Sequence, residues 1–217
     1  MCLENKPQST KKRRHHRKWV IPTSILLIVI IASSAAFFWY PKNIPANAVS
    51  DAPEGLKELA DHYIGIMQNL NSSATKAKII SLLSATYNQT DLFVWEQTKL
   101  TFVSDPVGWF EDPTQILAEG KGICAQWSIV YVSACLALGY PSRLVAAVNT
   151  STWSFIHVWA EDYYNGTWVH VDPSDRVWNN PSRYQTWDWG SGIGSTVKIY
   201  AFEDHAFYDV TAKYSAE

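Results

Sequence analysis

Asn165-Gly166 lies between two strand-like runs, 155–162 and Thr167–Asp172, and this dipeptide is a strong signal for a two-residue β-hairpin turn. The turn sets the register. With Tyr164 opposite Thr167, paired positions sum to 331, so Trp159 is expected opposite Asp172 and His157 opposite Ser174. His157 and Asp172 then become diagonal neighbours on one face, about 7–8 Å apart along the backbone and within side-chain reach. A slip of one residue would put them on opposite faces.

Upstream, Gly120-Lys121-Gly122 reads as a loop. Residues 124–138 are nearly all apolar or small and end at Gly139 and Pro141, which predicts a buried helix with a clean stop. Cys124 therefore stands at a helix start. The positive end of the helix and its free amides favour a thiolate and can hold an oxyanion. An imidazole at His157, oriented by the Asp172 carboxylate, would take the thiol proton. These three residue types in this arrangement point to nucleophilic attack on an amide. Read singly, each residue has an ordinary structural role open to it: a buried thiol, a core histidine, a turn aspartate.

Other candidates fit less well. His170 shares the face of His157 but falls opposite Glu161, towards the turn. Cys135 lies eleven residues along the helix, about 16 Å from Cys124, too far for a disulfide. No Cys or His pair has structural-zinc spacing, so neither metal nor cofactor is expected.

The rest of the chain is read more coarsely. Leu56, Leu59, Tyr63, Met67 and Leu70 recur at helical spacing after Asp51 and Pro53. A second helix is expected at 76–86, and a strand or extended arm at 92–103. Asp112-Pro113 opens a short helix that Gly120 stops, and 143–149 reads as a strand.

Charge divides the chain. Residues 1–40 hold seven Lys or Arg and one acid, leaving 11 basic and 19 acidic residues in 41–217, a balance of −8. An acidic globular part argues against nucleic acid as its partner. Residues 19–40 carry no charge, long enough to span a hydrocarbon core of roughly 30 Å, with Trp19, Trp39 and Tyr40 at the ends. The preceding KKRRHHRK predicts a cytoplasmic tail at 1–18 and an anchor at 19–40. A linker at 41–53 and an extracytoplasmic domain at 54–217 would follow. Ala46-Asn47-Ala48 leaves a cleaved signal open as the rival. Sequons at Asn71, Asn88, Asn149 and Asn165 suit an exported domain.

At Gly122-Ile123-Cys124, His157-Val158-Trp159 and Val171-Asp172-Pro173 the sequence resembles the transglutaminase-like superfamily, and within it the peptide:N-glycanase branch. GICAQWSIVYVSACLALGYPSRLV resembles that branch's Cys motif and HVWAEDYYNGTWVHVDPSD its His and Asp motifs. Asn180-Pro181, Tyr184, Trp189-Gly190 and 209–214 resemble its downstream pattern, so the likeness runs over about 105–215. It implies an α+β fold, with a Cys-bearing helix on an antiparallel sheet and a Cys124-His157-Asp172 triad. The branch's paired Cys-x-x-Cys zinc ligands are absent, and Gln126 replaces an acidic residue two positions after the Cys. Val171 and Ser174 stand where cysteines are common.

The expected function is thiol-dependent amide hydrolysis or acyl transfer on a peptide or glycoprotein substrate, with Trp127 and Trp159 as candidate substrate contacts. Transamidation and a non-catalytic binding module are the alternatives.

Overall fold

The computed structural model describes residues 52–105, 110–186 and 196–215. Helix α1 (Glu54–Asn71) buries Leu56, Ala60, Tyr63, Ile66, Met67 and Leu70, a stripe at spacings of three and four. Pro53 stands at its cap position; Asp51, the cap expected from the sequence, lies outside the described residues. Helix α2 (Ser73–Leu82) starts earlier than expected because Ser72 caps it by accepting from the Thr75 amide at 3.2 Å, and it also ends earlier, at Leu82.

The segment expected to be extended is instead a helix, α3 (Gln89–Gln97). Asn88 caps it through the Asp91 amide at 2.8 Å, and Gln89, Leu92, Trp95 and Glu96 form its buried face. Aromatic and β-branched residues raise strand propensity only weakly, and a good cap with a buried face outweighs it. Only Thr101–Phe102 (β1) is a strand, paired in parallel with Lys121–Gly122 (β2). Between them α4 (Pro113–Glu119) is capped by Asp112 and stopped by Gly120 at φ 66°, as the sequence predicts.

Helix α5 (Cys124–Ala137) is buried along nearly its whole length and packs on a six-stranded antiparallel sheet of order β6-β5-β4-β3-β7-β8. The strands are β3 (Ser142–Asn149), β4 (Ser154–Tyr164), β5 (Thr167–Asp172), β6 (Val177–Trp178), β7 (Val197–Phe202) and β8 (Phe207–Asp209). This is the expected α+β arrangement of a Cys-bearing helix on an antiparallel sheet. Alternation along each strand divides the core. Leu144, Ala146, Val148, Val158, Ala160 and Val171 face α5, on whose other sides α1 and α2 pack. Val145, Ala147, Trp159, Ile199 and Ala201 point the other way and are covered by Tyr184 of a 3-10 helix (Pro181–Thr186) and Tyr214 of α6 (Thr211–Tyr214).

The predicted tail, the span at 19–40 and residues 41–51 of the linker lie outside the described residues. Among the described residues, no helix is long and apolar enough to cross a membrane.

Candidate active site

The hairpin turn forms as expected, with Asn165 and Gly166 both at positive φ, 49° and 85°. Its ladder runs from Tyr164↔Thr167 through Glu161↔His170 to Ala160↔Val171, the predicted register. There it stops. The predicted Trp159↔Asp172 pair is not formed, while on its other edge β5 continues to pair with β6 through Val171↔Trp178 and Asp172↔Val177. The diagonal survives this departure, and His157 Nε2 lies 2.6 Å from Asp172 Oδ2. On its other side, β4 carries a bulge: Ala147 pairs with His157 and Val148 with Phe155, leaving Ile156 unpaired next to the histidine. Bulges bend a strand and re-aim the side chains beside them.

Asp172 is fully buried, and four donors surround it. Oδ2 accepts from His157 Nε2 and, at 2.5 Å, from the Tyr184 hydroxyl. Oδ1 accepts from Ser174 Oγ at 2.8 Å and the Asp175 amide at 3.0 Å. Burial alone would raise its pKa, but these donors, His157 first, hold it down at about 2. Burial likewise opposes charge on His157, yet the Asp172 hydrogen bond, followed by the Cys124 thiol, lifts its pKa to about 9. Trp159 stacks on the imidazole, ring centres 5.7 Å apart.

Cys124 is partly exposed at the first position of α5. Ile123, at the cap position, offers no side-chain acceptor, so no side chain caps the first-turn amides. The loop before the cysteine is tied down elsewhere. Gln126 accepts from the Ile123 amide at 3.1 Å and donates to the Phe110 carbonyl at 3.2 Å. A carboxylate at 126 could make only the first of these bonds. Ser128 Oγ joins the first turn to β4, lying 2.9 Å from the Cys124 carbonyl and 3.1 Å from that of Val158. Cys124, His157 and Asp172 are thus brought into one cluster.

Trp127 and Trp159, the candidate substrate contacts, are both buried. Trp127 is 2% exposed and donates its indole N–H to the Gly122 carbonyl at 3.1 Å. Trp159 is 0% exposed and donates to the Tyr214 hydroxyl at 3.0 Å. A large ring with one donor is stable in a core once that donor is matched. His170 sits opposite Glu161 as predicted, with its Nε2 3.0 Å from the Tyr184 hydroxyl.

Several neighbours carried no role in the sequence reading. Glu96 of α3 is fully buried, and burial, then the Asp172 charge, pushes its pKa well up. Burial, then Cys124 and Glu111, similarly raises that of the Tyr63 phenol. Glu161 accepts from Arg143 Nη2, Lys213 Nζ and the Tyr214 hydroxyl, each at 2.6 Å, pinning α6 over the sheet. These contacts join residues far apart in sequence and leave no local pattern.

Cys124 stands at a helix start beside the sheet-borne His157–Asp172 pair, and residues 74–173, which hold all three, match the family model of the transglutaminase-like superfamily. The chain is also similar to enzymes named peptide-N(4)-(N-acetyl-beta-glucosaminyl)asparagine amidase. It is 30% identical to the one from Oryza sativa subsp. japonica over 42% of this chain and 19% of that one. With the Drosophila melanogaster enzyme it shares 33% over 49% and 16%. The chain thus spans under a fifth of the length of these relatives. A crystal structure of a Parabacteroides distasonis protein superposes with a TM-score of 0.48 at 14% identity, over 73% of this chain and 31% of that one.

Proposed function

We propose that this protein is a thiol-dependent amidase in which Cys124 is the nucleophile, His157 the acid–base and Asp172 the residue that orients the imidazole. The carrying observation is the 2.6 Å contact of His157 Nε2 with a buried, ionised Asp172, on an imidazole that also interacts with Cys124. With Nε2 engaged, Nδ1 is the ring nitrogen left to take the thiol proton. The sulfur attacks the amide carbonyl, and the oxyanion develops beside the first-turn amides of α5. The imidazolium then protonates the departing amine, leaving an acyl-enzyme. Water, deprotonated by His157, attacks the thioester and releases Cys124.

The relatives' name, an amidase at a glycan–asparagine bond, supports an amide as the scissile group and a peptide or glycoprotein as the substrate class. Incubating the full chain with glycopeptides, plain peptides and a lysine-like amine, and reading products by mass spectrometry, tests this. Deglycosylated or cleaved peptide is expected with wild type and lost with Cys124→Ala. Amine-tagged product alone would make the enzyme a transamidase, and the same product with both proteins would refute the assignment.

The uncharged run at 19–40 behind KKRRHHRK supports an anchor that holds this domain outside the cell. Protease added to intact cells should remove the domain; protection until the membrane is opened would reverse the topology.

A further inference from the structure

Tyr184 lies twelve residues beyond Asp172 in sequence, yet its hydroxyl ends on the same carboxylate oxygen that His157 uses. The ring is 0% exposed, 4.5 Å from Trp159 and edge-on to His170 at 4.9 Å and to His157 at 5.6 Å between centres. The direction of each hydrogen bond follows from the groups themselves. An ionised Asp172 can only accept, so the phenol must donate to it. The phenolic oxygen then accepts from His170 Nε2 at 3.0 Å. Burial holds His170 neutral, its pKa down at about 4, so that it carries one N–H. With that proton on Nε2, Nδ1 is bare, and Nδ1 is the His170 atom that finds no partner among the described residues. A bare ring nitrogen is an acceptor left unmatched, a milder burial than an orphaned N–H. The result is an oriented series in which His170 donates to Tyr184, Tyr184 to Asp172, and His157 to the same Asp172 oxygen.

We propose that Tyr184 is a positioning residue for the triad, fixing Asp172 and tempering its hold on His157, and that His170 orients the phenol. This rests on reading Cys124, His157 and Asp172 as the triad. Two donors on one oxygen share its charge. If the hydroxyl is removed, His157 becomes the sole donor to Oδ2, the imidazolium is held more tightly, and it gives its proton less readily to a leaving amine. The other ionisable groups facing this cluster are Cys124 from α5, Glu96 from α3, Asp175 and Arg183 after β5, and Glu161, Lys213 and Tyr214 around His170. None of them is altered in Tyr184→Phe, which also keeps the ring.

The test uses the full chain and two readouts. The first is the rate of Cys124 alkylation by iodoacetamide against pH, which needs no substrate. The second is the NMR titration of the His157 imidazole. Tyr184→Phe should move the His157 titration upward by about one pH unit and lower kcat about tenfold with KM unchanged. His170→Leu, which removes the donor to the phenol, should produce a smaller shift in the same direction. A folded Tyr184→Phe with the wild-type titration overturns the proposal, as does a downward shift. If Tyr184→Phe does not fold, an unmoved titration in His170→Leu overturns it. A wild-type alkylation profile identical to that of His157→Ala instead overturns the triad itself, and separates that failure from a failure at Tyr184.

Discussion

The Ser128 hydroxyl touches two carbonyls, that of Cys124 at 2.9 Å in its own helix and that of Val158 at 3.1 Å on β4. Val158 adjoins His157, so one buried side chain ties the turn that carries the thiol to the strand that carries the imidazole. Ser128→Ala should cost about 1–3 kcal/mol, because the Val158 carbonyl is left buried with one partner fewer. It should also slow Cys124 alkylation. Urea denaturation and labelling kinetics check both, and wild-type values for both would deny the tie.

The two cysteines of α5 should differ sharply towards iodoacetamide. Cys135 is 0% exposed, and burial, then the Asp162 charge, pushes its thiol pKa well up. Cys124 is partly exposed beside His157. In native protein at neutral pH, labelling of Cys124 should lead by more than about tenfold, with equal labelling only after denaturation. Peptide mapping reads the ratio.

Stability should depend on pH through the same pair. The His157 pKa is raised from 6.5 to about 9, so its contribution is complete below pH 6.5 and disappears as pH rises towards 9. That of Asp172 is lowered from 3.8 to about 2, so its contribution is complete above pH 3.8 and is lost as pH falls towards 2. The pair thus stabilises the fold most between these limits. Calorimetry should show Tm falling on the alkaline side, with a smaller fall in His157→Gln. An unchanged alkaline fall in that variant would assign it to other groups.

Gly122→Ala should disturb the loop that delivers the cysteine. A Cβ at 122 would stand 2.8 Å from the Gln126 Cβ, closer than real Cβ contacts come. The Gly122 carbonyl also accepts from the Val103 amide and the Trp127 indole, each at 3.1 Å, so the backbone has little room to retreat. A loss of about 1–3 kcal/mol is expected, with slower alkylation of Cys124. In the double variant Gly122→Ala/Gln126→Ala the clash remains at the Cβ, so no rescue should be seen by thermal denaturation.

Much of the local structure was legible in the sequence. Asn165-Gly166 implied a two-residue hairpin turn, and the two-residue period of a strand then placed His157 and Asp172 on one face. Asp112, Gly120 and the apolar run after Cys124 marked two helices by their caps and burial. Caps, turns and periodicity are properties of near neighbours, and a linear reading captures them.

Tertiary structure decided the remainder. Aromatic and β-branched content suggested an extended arm where packing of Leu92, Trp95 and Glu96 made a helix. Trp127 and Trp159 are candidate substrate contacts in sequence, and only the structure shows that matched donors hold them in the core. The end of the β4–β5 ladder at Val171, and the arrival of Tyr184 at Asp172, likewise have no local signal. Which side chain closes over a buried carboxylate depends on how distant elements fill the same space, and that is settled only when the sheet and its covering helices pack together.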